Sequence, residues 1–348
     1  MARALILGGT GVIGRAVAAH LLSRGWQVDV TGRDAAHVPA DLAERAGLSF
    51  LASDRTDAAD LRRAIGGGAD LVVDCLCFTE DDARLVLPVL AEADAAVMLS
   101  TKAVYVDEFG RHANSPVPPV FPVPIRETDP TVAPGRGDPR GRDGYGANKV
   151  AAENLLLDSG LPVTVLRAGK VHGPGAARPR EWVFLKRALD GREQLVLARE
   201  GRGGDHTTAA ANIATLAEAA AARPGTRILN AGDPDAPTGL DIARAVAAHV
   251  GHRFEFELAD DGAAPQFGAH PWNVVPPVVL DLSAARELGW QPAGTFAETV
   301  GAELDWLREQ HEQGLTAAFD DDPYFVPFLD YRVEDAYLLL RSLEKRNA

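Results

Sequence analysis

Apolar positions along this chain group into short unbroken runs separated by longer stretches of helical spacing. Ala4-Leu5-Ile6-Leu7 is the first such run. Four apolar residues in succession fit a strand buried on both faces. Glycines interrupt it at Gly8-Gly9-Thr10-Gly11-Val12-Ile13-Gly14, and residues 15–22 then carry an apolar-periodic helix. Further strands are expected at residues 26–31, 48–53, 69–78 and 95–100, with helical stretches between them. This repeated βαβ order predicts an α/β fold, a doubly wound parallel sheet with helices on both faces.

The second half continues the alternation with less regularity. Residues 161–167 predict a sixth strand, 181–190 a helix and 194–198 a short strand. Asp205-His206-Thr207-Thr208 is expected to open an Ala-rich helix reaching residue 222. A seventh strand is expected at 226–231, a helix at 239–250, a strand at 253–258, and helices at 281–288 and 296–313. No internal repeat appears. Between these halves, residues 106–143 are rich in Pro, Gly and charge. A segment of that length without its own periodicity reads as a functional or mobile loop.

Three stretches carry candidate chemistry. The first is G-x-x-G-x-x-G at Gly8, Gly11 and Gly14, set between a strand and a helix. That context suits a dinucleotide pyrophosphate, because glycine lets the backbone approach and the helix start favours anions. Thr10, Val12 and Ile13 belong to the same turn. The second is the end of the second strand, Thr31-Gly32-Arg33, about 20 residues on. A carboxylate there would hold ribose hydroxyls, whereas an Arg fork suits a 2′-phosphate. NADP(H) is therefore preferred, with NAD(H) left open by Asp34 and Asp29. Asp54, Phe78 and Thr101 are expected at strand carboxyl ends, where such sheets bind ligands. Arg55, beside Asp54, could add to the phosphate pocket. The third is Tyr145 and Lys149, four apart on an Ala/Leu-rich helix and so on one face. A Tyr hydroxyl ordinarily titrates near ~10. A neighbouring ammonium is expected to lower it, making an acid/base pair.

Composition narrows the partners. The 348 residues are 46% hydrophobic and 24% charged, enough for a sizeable core. A net charge of −14 disfavours nucleic acid and anionic membranes. Two cysteines, Cys75 and Cys77, exclude a disulfide framework and favour a reducing compartment, so a cytoplasmic location is expected. No signal peptide and no membrane span is apparent. Histidines stand singly, and no metal-ligand spacing is seen, so no metal is expected.

The ordered set Gly8/Gly11/Gly14, Thr101 ahead of Val104-Tyr105, Tyr145-x-x-x-Lys149, and Arg167 with Val171-x-Gly173-Pro174-Gly175 resembles the extended short-chain dehydrogenase/reductase superfamily, the NAD(P)-dependent epimerase/dehydratase group. Leu288-Gly289-Trp290-x-Pro292 resembles its late segment, so the likeness covers roughly residues 3–310. It implies a Rossmann domain at 1–168, rejoined by about 206–232. It implies a smaller C-terminal α/β substrate domain at 169–205 and 233–315. The tail at 316–348 lies outside the likeness, and its mix of aromatics with acid over residues 329–340 predicts an interface or cover helix. It implies Tyr145 as acid/base, Lys149 on the nicotinamide ribose, and Thr101 rather than Ser100 on the substrate oxygen. Nucleotide-sugar members usually read R-P-x-N-V-Y-G-P-G where this chain has Ala168, Lys170 and His172. A later Arg of theirs is missing near His206. Lys170, His172 and His206 remain substrate-side candidates. The expected activity is hydride exchange at a secondary alcohol or ketone carbon of a small molecule. A nucleotide-sugar epimerase or dehydratase and a non-catalytic dinucleotide-binding relative are the alternatives. A homodimer is compatible with all three.

Overall fold

The structure is a computed structural model that describes residues 1–264 and 266–347. The chain divides into two compact units. The first comprises Met1–Val171, Thr208–Asp233 and Leu280–Ala293; the second comprises His172–Thr207, Pro234–Val279 and Gly294–Ala348. Leu280–Ala293 thus falls within the first unit, and the tail within the second.

The first unit is built on a parallel sheet. Its strands are β1 (Arg3–Leu7), β2 (Gln27–Gly32), β3 (Leu48–Ala52), β4 (Ala69–Asp74), β5 (Ala93–Thr101), β6 (Val163–Ala168) and the strand Arg227–Ala231. The order across the sheet is Arg227–Ala231, β6, β5, β4, β1, β2, β3, every pairing parallel. The order reverses at β1, and its loop therefore opens at the switch point where ligands bind. The apolar runs have the predicted cause: Ala4, Leu5, Ile6, Val72, Val73, Val163 and Val165 are fully enclosed. The helices are α1 (Val12–Ser23), α2 (Ala40–Ala43), α3 (Ala58–Ile65), α4 (Glu80–Leu90) and α5 (Gly144–Leu157) before β6, with Ala210–Ala222 and Ser283–Glu287 later in the chain. α4 starts on a capping box, with Thr79 and Asp82 satisfying each other's backbone N–H.

Boundaries moved where tertiary contacts outweigh periodicity. β4 stops at Asp74, because Arg55 and the Leu76 N–H both bind its carboxylate and turn the chain. Phe78 therefore lies on the turn after the strand. Residues 207–209 are strand, and the Ala-rich helix starts only at Ala210.

The second unit packs helices Trp182–Leu189, Gly239–His249 and Gly301–Glu312 around Trp182, Phe184, Trp272, Phe296, Leu304 and Phe325. Strands Gln194–Leu197 and Glu255–Leu258 pair in parallel. The expected helix 296–313 breaks at Val300 into Phe296–Thr299 and Gly301–Glu312. The tail ends in a helix, Tyr331–Asn347. Its Glu334 is buried and accepts hydrogen bonds from Val196 N (2.9 Å) and Arg187 Nε (3.1 Å). Among the described residues no helix is long and apolar enough to cross a membrane.

Candidate active site

The glycine turn owes two of its glycines to geometry. Gly8 has φ +84°, a conformation that costs an L side chain about 1 kcal/mol or more. A Cβ on Gly14 would sit 2.4 Å from Gly8 O. Gly11 is different, since a Cβ there would meet only Gly8 O at 3.6 Å. Gly11 is the N-cap of α1 and offers no side chain to it, and the first turn carries no acidic residue. The first N–H groups of α1 are thus left for an external anion. A bare, glycine-lined helix start beneath an open cavity fits a dinucleotide pyrophosphate.

That cavity, of about 500 Å³, runs from Gly8, Thr10 and Gly11 past Gly32 and Arg33 to Asp54, Arg55, Phe78 and Arg140. Asp54 accepts from Thr56 Oγ1 (2.7 Å) and Thr56 N (2.9 Å). These bonds, with Arg33 nearby, hold its carboxyl below the usual range. Arg55 does not act as a free cation: it donates to Asp74 at 2.7 Å and approaches Asp82 at 3.4 Å. It lines the cavity with its charge already matched by these two carboxylates. Asp29 is also committed, paired with Arg3 at 2.7 Å, and so is no ribose ligand. Asp34 caps the short turn Ala35–His37, its Oδ1 accepting from Ala36 N at 2.9 Å. Arg33 is exposed at the cavity edge.

A second cavity, of about 200 Å³, brings together Ile13, Cys75, Phe78, Ser100, Thr101, Tyr145, Lys149 and Val171. Thr101 and Tyr145 both line it, and Thr101 Oγ1 accepts from Ala103 N at 3.1 Å. Lys149 is buried and donates to the carbonyls of Cys77 (2.7 Å) and Leu99 (2.8 Å), tying the ends of β4 and β5. Its Nζ lies 4.4 Å from the Phe78 ring centre. Burial lowers its pKa. Burial also raises the Tyr145 hydroxyl above its ordinary value, offset in part by Thr101. The expected lowering by Lys149 is absent here, because the ammonium is turned to the two carbonyls. Ser100 points elsewhere: its hydroxyl donates to Glu153, which pairs with Arg167 at 2.7 Å. Cys75 and Cys77 are held well above the ordinary thiol range, first by burial and then by Asp74, so neither is a thiolate.

These two cavities collect Gly8, Thr10, Gly11, Ile13, Arg33, Asp54, Arg55 and Phe78 with the Thr101, Tyr145 and Lys149 set, whereas Val12 and Gly14 line neither. The substrate-side candidates divide between the units, Lys170 in the first and His172 and His206 in the second. His172 is enclosed, its ring centre 4.9 Å from that of Phe296 and its Nδ1 3.8 Å from Glu303 Oε2. His206 is buried too. Sequence reasoning missed Asp74, Asp82 and Arg140. The first two are ordinary acidic residues until Arg55 bridges them, and Arg140 lies in the aperiodic loop.

The model of the family described as NAD dependent epimerase/dehydratase matches residues 4–203. The chain belongs to this family. A curated member, dTDP-6-deoxy-L-talose 4-dehydrogenase (NAD(P)(+)) of Kitasatospora kifunensis, is 29% identical over 86% of this chain and 93% of its own length. Among solved structures, dTDP-glucose 4,6-dehydratase from Bacillus anthracis, in complex with NAD, aligns with TM-score 0.65 at 16% identity, over 90% of this chain and 100% of that one. WbmG of Bordetella bronchiseptica, in complex with NAD and UDP, aligns with TM-score 0.64 at 23% identity, over 90% and 96%. At such identities the structures establish the extended short-chain dehydrogenase/reductase fold. Family membership makes the chain an NAD(P)-dependent enzyme.

Proposed function

We propose that this family member exchanges a hydride at a secondary alcohol or ketone carbon, with Tyr145 as the acid/base and NADP(H) as the preferred dinucleotide. The gathering of Thr101, Tyr145 and Lys149 at the inner cavity supports the reading. The bound nicotinamide supplies or accepts the hydride. Tyr145 gives its hydroxyl proton to the carbonyl oxygen in reduction and takes the alcohol proton in oxidation. Thr101 holds that oxygen beside Tyr145. Lys149 fixes the ends of β4 and β5 and reaches the ribose from its buried seat. Arg33, with Asp29 paired to Arg3 and Asp34 capping a turn, supports the 2′-phosphate.

The dehydrogenase relative and the UDP complex favour a nucleotide-activated sugar as the first substrate class to assay. The free cysteines support a cytoplasmic setting. A homodimer is the simplest assembly to test, by light scattering. The function itself is tested with Tyr145→Phe. It is expected to bind dinucleotide as the wild type does and to lose about 10²-fold or more in turnover, the scale of a missing general acid/base. Wild-type turnover by Tyr145→Phe would reject Tyr145 as the proton carrier.

A further inference from the structure

We infer that Arg140, carried by the long loop ahead of α5, is a second reader of the cofactor's 2′-phosphate, opposite Arg33. The inference rests on the reading that the larger cavity takes the adenosine end of a dinucleotide.

Three arginines line that cavity: Arg33, Arg55 and Arg140. Arg55 is spent on Asp74 and Asp82. Arg33 and Arg140 make no ion pair within 4.0 Å among the described residues, and both residues are exposed. Arg33 comes from the end of β2. Arg140 comes from a segment about a hundred residues later, so the two reach the cavity from different elements.

The segment bearing Arg140 is held in place, although it has no regular structure. Asn148, one turn into α5, donates its Nδ2 to the carbonyls of Gly137 (2.7 Å) and Gly144 (2.9 Å). Gly135 N donates to Ala147 O at 3.0 Å, and Tyr145 N to Gly141 O at 3.1 Å. Gly144 lies so close to Asp138 that a Cβ would come within 2.2 Å of the Asp138 carbonyl. Arg136 pairs with Glu80 at 2.9 Å, pinning the segment to the start of α4. Asp138 Oδ1 accepts from Arg140 N at 2.9 Å and closes the turn beneath it. A guanidinium on a fixed turn loses little backbone freedom on binding, and its planar fork matches phosphate oxygens. The turn also runs directly into Tyr145, so the element that grips the adenosine end is continuous with the one that presents the acid/base.

The test uses the full chain and calorimetric titration with NADP⁺, NAD⁺, adenosine 2′,5′-bisphosphate and 5′-AMP. Arg140→Ala is expected to weaken NADP⁺ and the bisphosphate by about 10-fold, one charge-assisted contact's worth. NAD⁺ and 5′-AMP should stay within about twofold, since neither carries the 2′-phosphate. Arg140→Lys should fall between, as it keeps the charge and loses the fork. If wild type prefers NADP⁺ and Arg33→Ala removes that preference while Arg140→Ala leaves it intact, the role of Arg140 is overturned and the cofactor reading stands. If wild type binds both dinucleotides equally, the NADP reading itself fails. If neither the dinucleotides nor the adenosine fragments bind, the assignment of the cavity fails.

Discussion

Thr101 and Ser100 are adjacent hydroxyls at the end of one strand, and alternation sends them to different tasks. Thr101 lines the inner cavity with Tyr145, while Ser100 donates inward to the buried Glu153–Arg167 pair. Resemblance alone had to choose between them, since each is a small hydroxyl ahead of Val104-Tyr105. Substitution separates the two. Thr101→Val keeps the shape and removes the hydroxyl, and is expected to lower turnover by about 10²-fold, as for one lost donor at a reacting oxygen. Ser100→Ala is expected to leave turnover near wild type and to lower stability by about 1–3 kcal/mol, because Glu153 loses a donor in a buried site. The two kinetic constants and two urea midpoints decide it: a Ser100→Ala enzyme that is folded but inactive would reverse the assignment.

Among the helices, Gly301–Glu312 carries a carboxyl that periodicity marks as ordinary. Glu303 is fully enclosed beside Glu181 and His172, with Gly173 N donating to its Oε2 at 2.9 Å. Burial pushes its pKa well above the carboxylate range; Glu181 adds to this, and Gly173 and Arg180 oppose it. The sign follows. A carboxyl whose pKa is higher folded than unfolded binds its proton more tightly in the fold. Its contribution is fully present below the unfolded value of about 4.3 and is lost as pH rises through the folded value. Glu303→Gln keeps the neutral shape, so its stability should fall less than the wild type's between pH 5 and 8. Parallel stability curves for the two proteins would show that Glu303 is ionised in the fold. None of this was readable beforehand, because residues 172, 181 and 303 meet only through packing. By contrast β1, the glycine turn and α1 were legible. Their apolar runs, the φ demand at Gly8 and the Gly8–Gly14 approach all lie between Arg3 and Ser23. Helix 296–313 was misjudged as continuous, because the capping box of Thr295 and Glu298 starts one short helix and the next begins after Val300.

For the whole chain, the division into two units has a measurable consequence. Every residue lining the two cavities belongs to the first unit. The first unit's core is the sheet with α4 and α5; the second has its own aromatic core, joined by the tail through Phe325 and anchored by Glu334. A ligand that binds only the folded state adds about 2.7 kcal/mol at a hundred times its Kd, equivalent to about 100-fold in the opening equilibrium. Saturating NADP(H) is therefore expected to slow hydrogen exchange by up to that factor in β1, β4 and α1, whose amides open with the cavities. Amides of Trp182–Leu189 and Gly239–His249 should keep their rates, because no part of the second unit lines either cavity. Exchange measured by mass spectrometry with and without cofactor distinguishes the cases. Equal slowing in both units would mean that they open as one, and the stability of each would then be a property of the whole chain.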